Sequence, residues 1–305
     1  MKKWIKKFLY ALIVAMILGG FLVHFYLPRA IVEINNPLIL LVTKGSWNHP
    51  EPAPRIEGFT YETIHGYGHT DLSVMTYGKK IDSVKGAVIL LHGIRAGKEH
   101  FSEKMKWLYE NGFRAYAMDL RAHGSSDGKF TTFGVKERHD VSALVDYVDK
   151  SGFENIGIWG QSLGAAVAMQ SMGIDKRIDY GIIESTFTDF RTITHDYTHF
   201  HLGTNFKPLT NYLIDRSGKM ADFEPENASP FESAAQINQP ILMVHGNEDQ
   251  RIDISYGREN FSNLASEQKN FIEIDGANHL NVWKIGGEPY LNQVLKFMND
   301  HSAID

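Results

Sequence analysis

Residues Gly160-Gln161-Ser162-Leu163-Gly164 constrain this chain more than any other stretch. They form a G-x-S-x-G pattern between a strand-like run, 155–159, and a helix-like run, 165–172. Such a junction is a sharp strand-to-helix turn that lifts a serine hydroxyl into the open above a sheet. The flanking glycines leave room for tight, strained backbone. Chance supplies so short a pattern readily, so its surroundings must decide. The plain alternative is that Ser162 only caps the following helix.

Those surroundings have the right rhythm. Runs 59–64, 72–77, 87–91, 114–120, 156–159, 180–184, 241–244 and 271–274 read as strands. Helical spacing is expected over 99–110, 135–148, 165–172, 255–264 and 289–299, with Val141, Leu144, Val145 and Val148 on one face. Residues 87–91 are continuously apolar, as in a strand buried on both faces of a parallel sheet. Alternating strands and amphipathic helices predict an α/β fold with a doubly wound, mostly parallel sheet. Ligands of such sheets sit at the carboxyl ends of the strands. The interval 187–230 breaks the alternation and gathers Phe190, His195, Tyr197, His199, Phe200 and His201. An interval this long is usually functional, and here it is expected to form a small cap over the sheet's active edge.

The amino terminus carries a separate signal. Lys2, Lys3, Lys6 and Lys7 precede residues 8–27, which contain no Asp, Glu, Lys or Arg. As a helix rising about 1.5 Å per residue, that run matches a hydrocarbon core of about 30 Å. A cleaved signal peptide would have a shorter apolar region and a small-x-small site; Gly19 and Gly20 instead have Ile17 and Leu18 at the −3 position. The expectation is an uncleaved transmembrane anchor over 8–27, with His24 near its end and a basic cytoplasmic tip over 1–7. By the positive-inside rule the body then lies on the non-cytoplasmic side of a single-pass protein. Residues 28–58, punctuated by prolines at 28, 37, 50, 52 and 54, read as a membrane-proximal connector with an apolar stretch, 37–42, suited to docking. Residues 59–305 form the main domain.

Composition removes several classes. Taking the four terminal lysines from 31 basic residues leaves 27 against 36 acidic, so the body carries about −9. An acidic body without a basic stripe argues against nucleic-acid binding. The absence of cysteine excludes a catalytic thiol, a disulfide framework and cysteine-ligated zinc. His195, His199 and His201 invite a metal reading through their i, i+4 spacing. No H-E-x-x-H pattern supports it, so an aromatic lid is preferred and no cofactor or metal is expected.

A serine nucleophile needs a base, a carboxylate to orient the base, and donors for an oxyanion. His279, in Gly276-Ala277-Asn278-His279, follows the last strand, and Asp249, in His245-Gly246-Asn247-Glu248-Asp249, follows the one before. Glu248, Asp253, Asp275 and Glu184 compete for the acid's place. After run 87–91, the turn Leu91-His92-Gly93-Ile94 offers the Ile94 N–H beside that of Leu163. Asp119, Arg121 and His123 read as residues that knit a loop. His92 and His245 read as turn-holding histidines. Arg95 reads as a solvated arginine, with an anionic substrate as the alternative.

These residues, in this order, resemble the α/β-hydrolase superfamily, and within it the membrane-anchored serine hydrolases of the monoacylglycerol-lipase and serine-aminopeptidase-like branch. The resemblance covers roughly residues 59–300 and rests on 91–94, 119–126, the turn at Ser162, 240–249 and 276–279. It implies an α/β-hydrolase fold, a triad of Ser162, Asp249 and His279 in the Ser…Asp…His order, and oxyanion donors at Ile94 and Leu163. Ala122 and Asn278 stand where the family more often has glycine. The implied activity is hydrolysis of a carboxylic ester or related acyl compound, from a small molecule or a lipid, through an acyl-enzyme. Aminopeptidase-like or acyltransferase chemistry with the same triad is the alternative, and a non-catalytic membrane-anchored binding protein is a second.

Overall fold

The computed structural model describes residues 3–37, 53–78 and 84–302. Its centre is an eight-stranded sheet of order β1-β2-β4-β3-β5-β6-β7-β8. The strands are β1 Phe59–His65, β2 Asp71–Tyr77, β3 Gly86–Leu91, β4 Phe113–Met118, β5 Ile156–Gln161, β6 Tyr180–Glu184, β7 Ile241–Gly246 and β8 Lys269–Ile274. Each lies within two residues of the run expected for it. β1 pairs antiparallel with β2, and β2 antiparallel with β4; every other pairing is parallel.

Sequence pattern and position in the sheet agree. β3 is apolar after its first glycine and wholly buried, because it is central, with β4 and β5 on its two sides. β1, at an edge, is mostly half-buried or exposed. Apolar cores lie on both faces. One face is covered by the helices Glu137–Lys150 and Leu163–Ile174, and its core includes Val141, Leu144, Ala165, Met169 and Ile183. The other is covered by Ser102–Glu110 and Val282–Asp300, with Met105, Leu108, Trp159, Tyr290 and Val294. The last helix begins seven residues before the expected 289, because two helical segments meet at Gly287 (φ 51°), just ahead of Pro289.

The interval between β6 and β7 is helical. Phe190–Leu202 and Lys207–Ala221 form its bulk, followed by the short helix Pro230–Ala234. Asp189 caps the first by accepting the Thr192 N–H at 2.8 Å, and Gly203 ends it in the left-handed region (φ 68°).

The amino-terminal helix runs Lys3–Phe21, passes through a π-turn at Leu22–Tyr26 and continues as Leu27–Val32. It is long and apolar enough to cross a membrane, and none of its residues from Lys3 to Phe21 is buried. Its final turns do pack. Val32 is buried in the main core, and the Val32 carbonyl accepts the Thr131 N–H at 2.9 Å. The apolar stretch 37–42 falls outside the described residues, apart from Pro37.

Candidate active site

Every strand end named from the sequence faces one edge. Ser162 follows β5, His92–Ile94 follow β3, Asp249 follows β7 and His279 follows β8, all at the carboxyl ends of parallel strands. Ser162 sits at φ 57°, ψ −118°, a region that costs an ordinary residue about 1–3 kcal/mol. Its surroundings over-determine it. The Ser162 N–H donates to the Glu184 carbonyl at 2.9 Å, tying the turn to the neighbouring strand. Gly160 and Gly164 are required by close approach. A Cβ at Gly160 would lie 2.3 Å from the Gly164 carbonyl oxygen, and one at Gly164 2.0 Å from that of Leu91. The Ser162 side chain makes no capping bond to the helix it precedes, so the helix-cap reading fails.

Its hydroxyl instead donates to His279 Nε2 at 2.9 Å, and His279 Nδ1–H donates to Asp249 Oδ2 at 2.7 Å. That pairing fixes the tautomer of the imidazole, with its acceptor nitrogen toward the serine. Asp249 Oδ1 accepts the N–H groups of Arg251 and Ile252 at 2.9 and 3.0 Å. Burial pushes the Asp249 carboxyl upward. Hydrogen bonds from His245 and His279, the field of His279 and the Ile252 N–H outweigh burial and hold the group below the usual carboxylate range. Of the two histidines His279 is the closer; His245 Nε2 stands 3.5 Å away and donates to the Ile252 carbonyl at 2.9 Å.

The rival acids are engaged elsewhere. Glu184 Oε1 accepts from Trp159 Nε1 at 2.8 Å, Tyr290 Oη at 2.5 Å and Lys104 Nζ at 3.3 Å, in the opposite core. Asp253 caps the helix Ile254–Asn263 through the Ser255 N–H, Asp275 accepts from Asn247 Nδ2, and Glu248 is exposed.

The turn 92–96 is braced from below. His92 Nδ1–H donates to the Gly93 carbonyl at 2.8 Å, and His92 Nε2 accepts the Leu120 N–H at 3.0 Å. Gly93 brings this turn against the serine, since a Cβ there would be 3.3 Å from Ser162 Cβ. Asp119 accepts from Lys98 Nζ at 2.6 Å and from the N–H groups of Lys98 and Ser125 at 2.7 and 2.8 Å. Arg121 makes a two-pronged pair with Asp140, 2.7 Å at each prong. Burial lowers the His92 and His123 imidazoles, His123 to about 3, so both are neutral supports. The loop-knitting reading of 119–123 holds.

A cavity of about 390 Å³ opens at Ser162, within the usual range of about 300–1,000 Å³ for small-molecule sites. Its walls come from the turn at Ile94 and Leu163, from Phe187, Ile193, Tyr197, Leu209 and Leu213 of the cap region, and from Leu27, Ala30 and Ile31 of the amino-terminal helix. The sequence reading missed this last wall, although positions 27, 30 and 31 have the i, i+3, i+4 spacing of one helix face. Arg95 also corrects the sequence reading. It is 8% exposed, holds φ 59°, lines the cavity and donates from Nε to the Ile34 carbonyl at 3.2 Å. Burial lowers it to about 10.

The cap histidines do not converge. His195 is held between Asn205 and Asn211, with Nε2 2.8 Å from Asn211 Oδ1, while His201 lines the cavity. Among the described residues no group of three His, Asp or Glu side chains is arranged to hold a metal.

Known proteins place this architecture. Residues 82–195 match the family described as serine aminopeptidase, S33. The esterase Pf2001 of Pyrococcus furiosus superposes with a TM-score of 0.68 at 20% identity, covering 85% of this chain and all of that one. The chain has the α/β-hydrolase fold. It is 24% identical over 190 residues to the human protein ABHD12B, covering 60% of this chain and 51% of that protein. It is 25% identical over 212 residues to the lysophosphatidylserine lipase ABHD12 of Macaca fascicularis, covering 65% and 50%. The chain thus spans about half the length of both relatives. The family matched over residues 82–195 is a family of hydrolases.

Proposed function

We propose that the chain is a membrane-anchored serine hydrolase that cleaves carboxylic esters of apolar acyl groups through an acyl-enzyme. The observation that carries the reading is the unbroken hydrogen-bonded series Ser162–His279–Asp249 opening onto an apolar cavity. Ser162 Oγ attacks the carbonyl carbon while its proton passes to His279 Nε2. Asp249 holds the imidazole's orientation and stabilises the cation that forms. The Ile94 and Leu163 N–H groups receive the oxyanion, where fixed donors in a dry site lower the barrier most. Collapse expels the alcohol, which takes its proton from Nε2. Water, deprotonated by His279, then splits the acyl-enzyme, releasing the acid and restoring Ser162. The scheme calls for no cofactor.

The substrate class rests on the cavity's apolar walls, and the lysophosphatidylserine lipase relative supports an ester of a lipid. The run 8–27 of the amino-terminal helix serves as the anchor, with the lysines cytoplasmic and the domain on the other side. The S33 description favours one rival, cleavage of a peptide amide by the same groups. A panel of acyl esters, peptide amides and alcohol acceptors separates the three chemistries by product. A fluorophosphonate probe tests the core of the reading: wild type should label and Ser162→Ala should not, and equal labelling of both would sink the assignment.

A further inference from the structure

The cavity has an apolar rim. Leu202 and Phe206 both line it, yet they are 58% and 68% exposed. On the other side stand Leu27, Ala30 and Ile31 of the amino-terminal helix. Cap and helix are joined just before those residues, where His24 Nδ1 and Tyr212 Oη lie 2.6 Å apart. His24 is inside the apolar run 8–27, three residues or about 4.5 Å of helix rise from its end. Tyr212 is six residues, about 9 Å of rise, from Phe206 along the helix Lys207–Ala221. A bilayer deep enough to cover the run 8–27 therefore reaches the cap at Tyr212, under two helical turns from Phe206. Exposed Lys207, next to Phe206, is suited to the phosphate level, as long cationic side chains are at membrane interfaces.

We propose that the rim formed by Leu202 and Phe206 is seated in the same bilayer that the amino-terminal helix crosses, and that the cavity is filled laterally. An acyl chain slides from the leaflet between the cap and the Leu27–Ile31 face, and its ester reaches Ser162 without the chain entering water. The anchor is then one wall of the substrate site as well as a tether. This rests on the membrane-anchored hydrolase reading and specifies its substrate as a lipid resident in the enzyme's own membrane. The physical reason is that the exposed apolar rim residues and the Leu27–Ile31 face line one cavity, and leaving that rim in water is unfavourable in proportion to its area.

The chain has no cysteine, so each single replacement gives one labelling site. Full-length Phe206→Cys, Leu202→Cys and Ile174→Cys would each carry a fluorophore and be reconstituted in phosphatidylcholine vesicles. Ile174 is the control: 45% exposed, it ends the helix that starts at Ser162 and so lies at the opposite sheet edge. Doxyl-labelled phosphatidylcholine should strongly quench the labels at 206 and 202 and leave that at 174 bright. Equal, weak quenching at all three, in variants whose thermal unfolding matches wild type, overturns the proposal. A second readout uses wild type and a non-exchanging fluorogenic phospholipid ester. Product should form when ester and enzyme share vesicles and not when they occupy separate ones; equal rates overturn lateral loading. Quenching needs no turnover and fluorophosphonate labelling needs no membrane, so failure of the rim and failure of the hydrolase reading are told apart.

Discussion

Ser162, His279 and Asp249 are joined by hydrogen bonds of 2.9 and 2.7 Å, each side chain fixed by the end of a different parallel strand. The cavity beside them is bounded by apolar side chains from Leu27–Ile31, Ile94 and the interval 187–213, with few directional contacts. Directional bonds demand particular residues at particular places, so the polar cluster tolerates almost no substitution. Apolar walls demand shape and volume, so they can be rebuilt while the chemistry stays the same. The same fold can thus host many substrates around one reaction.

This contrast yields graded expectations. Asp249→Asn keeps the shape of the carboxylate but alters the tautomer and removes the charge that stabilises the His279 cation. Steady-state kinetics should show kcat lowered about ten-thousandfold, equally for short and long acyl esters; a loss confined to long chains would place Asp249 in substrate selection instead.

The polar scaffold beneath the site should also set acid stability. Burial lowers His123 to about 3, against about 6.5 in the unfolded chain. As pH falls through 6.5 the unfolded state takes up the proton first, so stability is full above that pH and declines below it. His123 alone would cost about 2–3 kcal/mol at pH 4.5, and His92 shifts in the same direction. Thermal unfolding from pH 7 to 4.5 should show Tm falling throughout; a flat Tm would mean the imidazoles are not held neutral.

The wall should behave differently. Ala30→Trp fills part of the cavity from the amino-terminal helix. The kcat/KM ratio for long over short acyl esters should fall by about 10–100-fold, the range expected for one to a few methylenes. Fluorophosphonate labelling at Ser162 checks that the nucleophile stays intact. The smallest effect belongs to Glu248→Gln. This acid is one residue from Asp249 but exposed, and such surface changes usually stay within about 0.5 kcal/mol. A kcat reduced as far as in Asp249→Asn would overturn the choice between the two carboxylates.

The hydrogen-bonded series Ser162–His279–Asp249 was legible because motif and period coincide. Gly160 and Gly164 mark backbone approaches that no Cβ permits, and Asp249 and His279 each stand just past an apolar run. Glu184 shows the limit of such reading. It ends a strand beside the serine turn, as a triad acid can, yet its carboxylate faces Trp159, Lys104 and Tyr290 on the other side of the sheet. A strand end gives a position, and only the pleat and its neighbours give a direction. Arg95 shows the same limit, since nothing in its local sequence marks it as buried against the Ile34 carbonyl.

The sequence by itself determined the strand order of chemistry, serine then acid then histidine, and the apolar helix ahead of it. Both are local properties, written in periodicity and in residues that tolerate no substitute. Tertiary structure alone decided that Glu184 turns to the other side of the sheet, that Arg95 lines the cavity, and that Leu27, Ala30 and Ile31 lie across from a cap more than 150 residues later. Those are contacts between distant segments, fixed by how whole surfaces pack, and apolar packing leaves no motif behind.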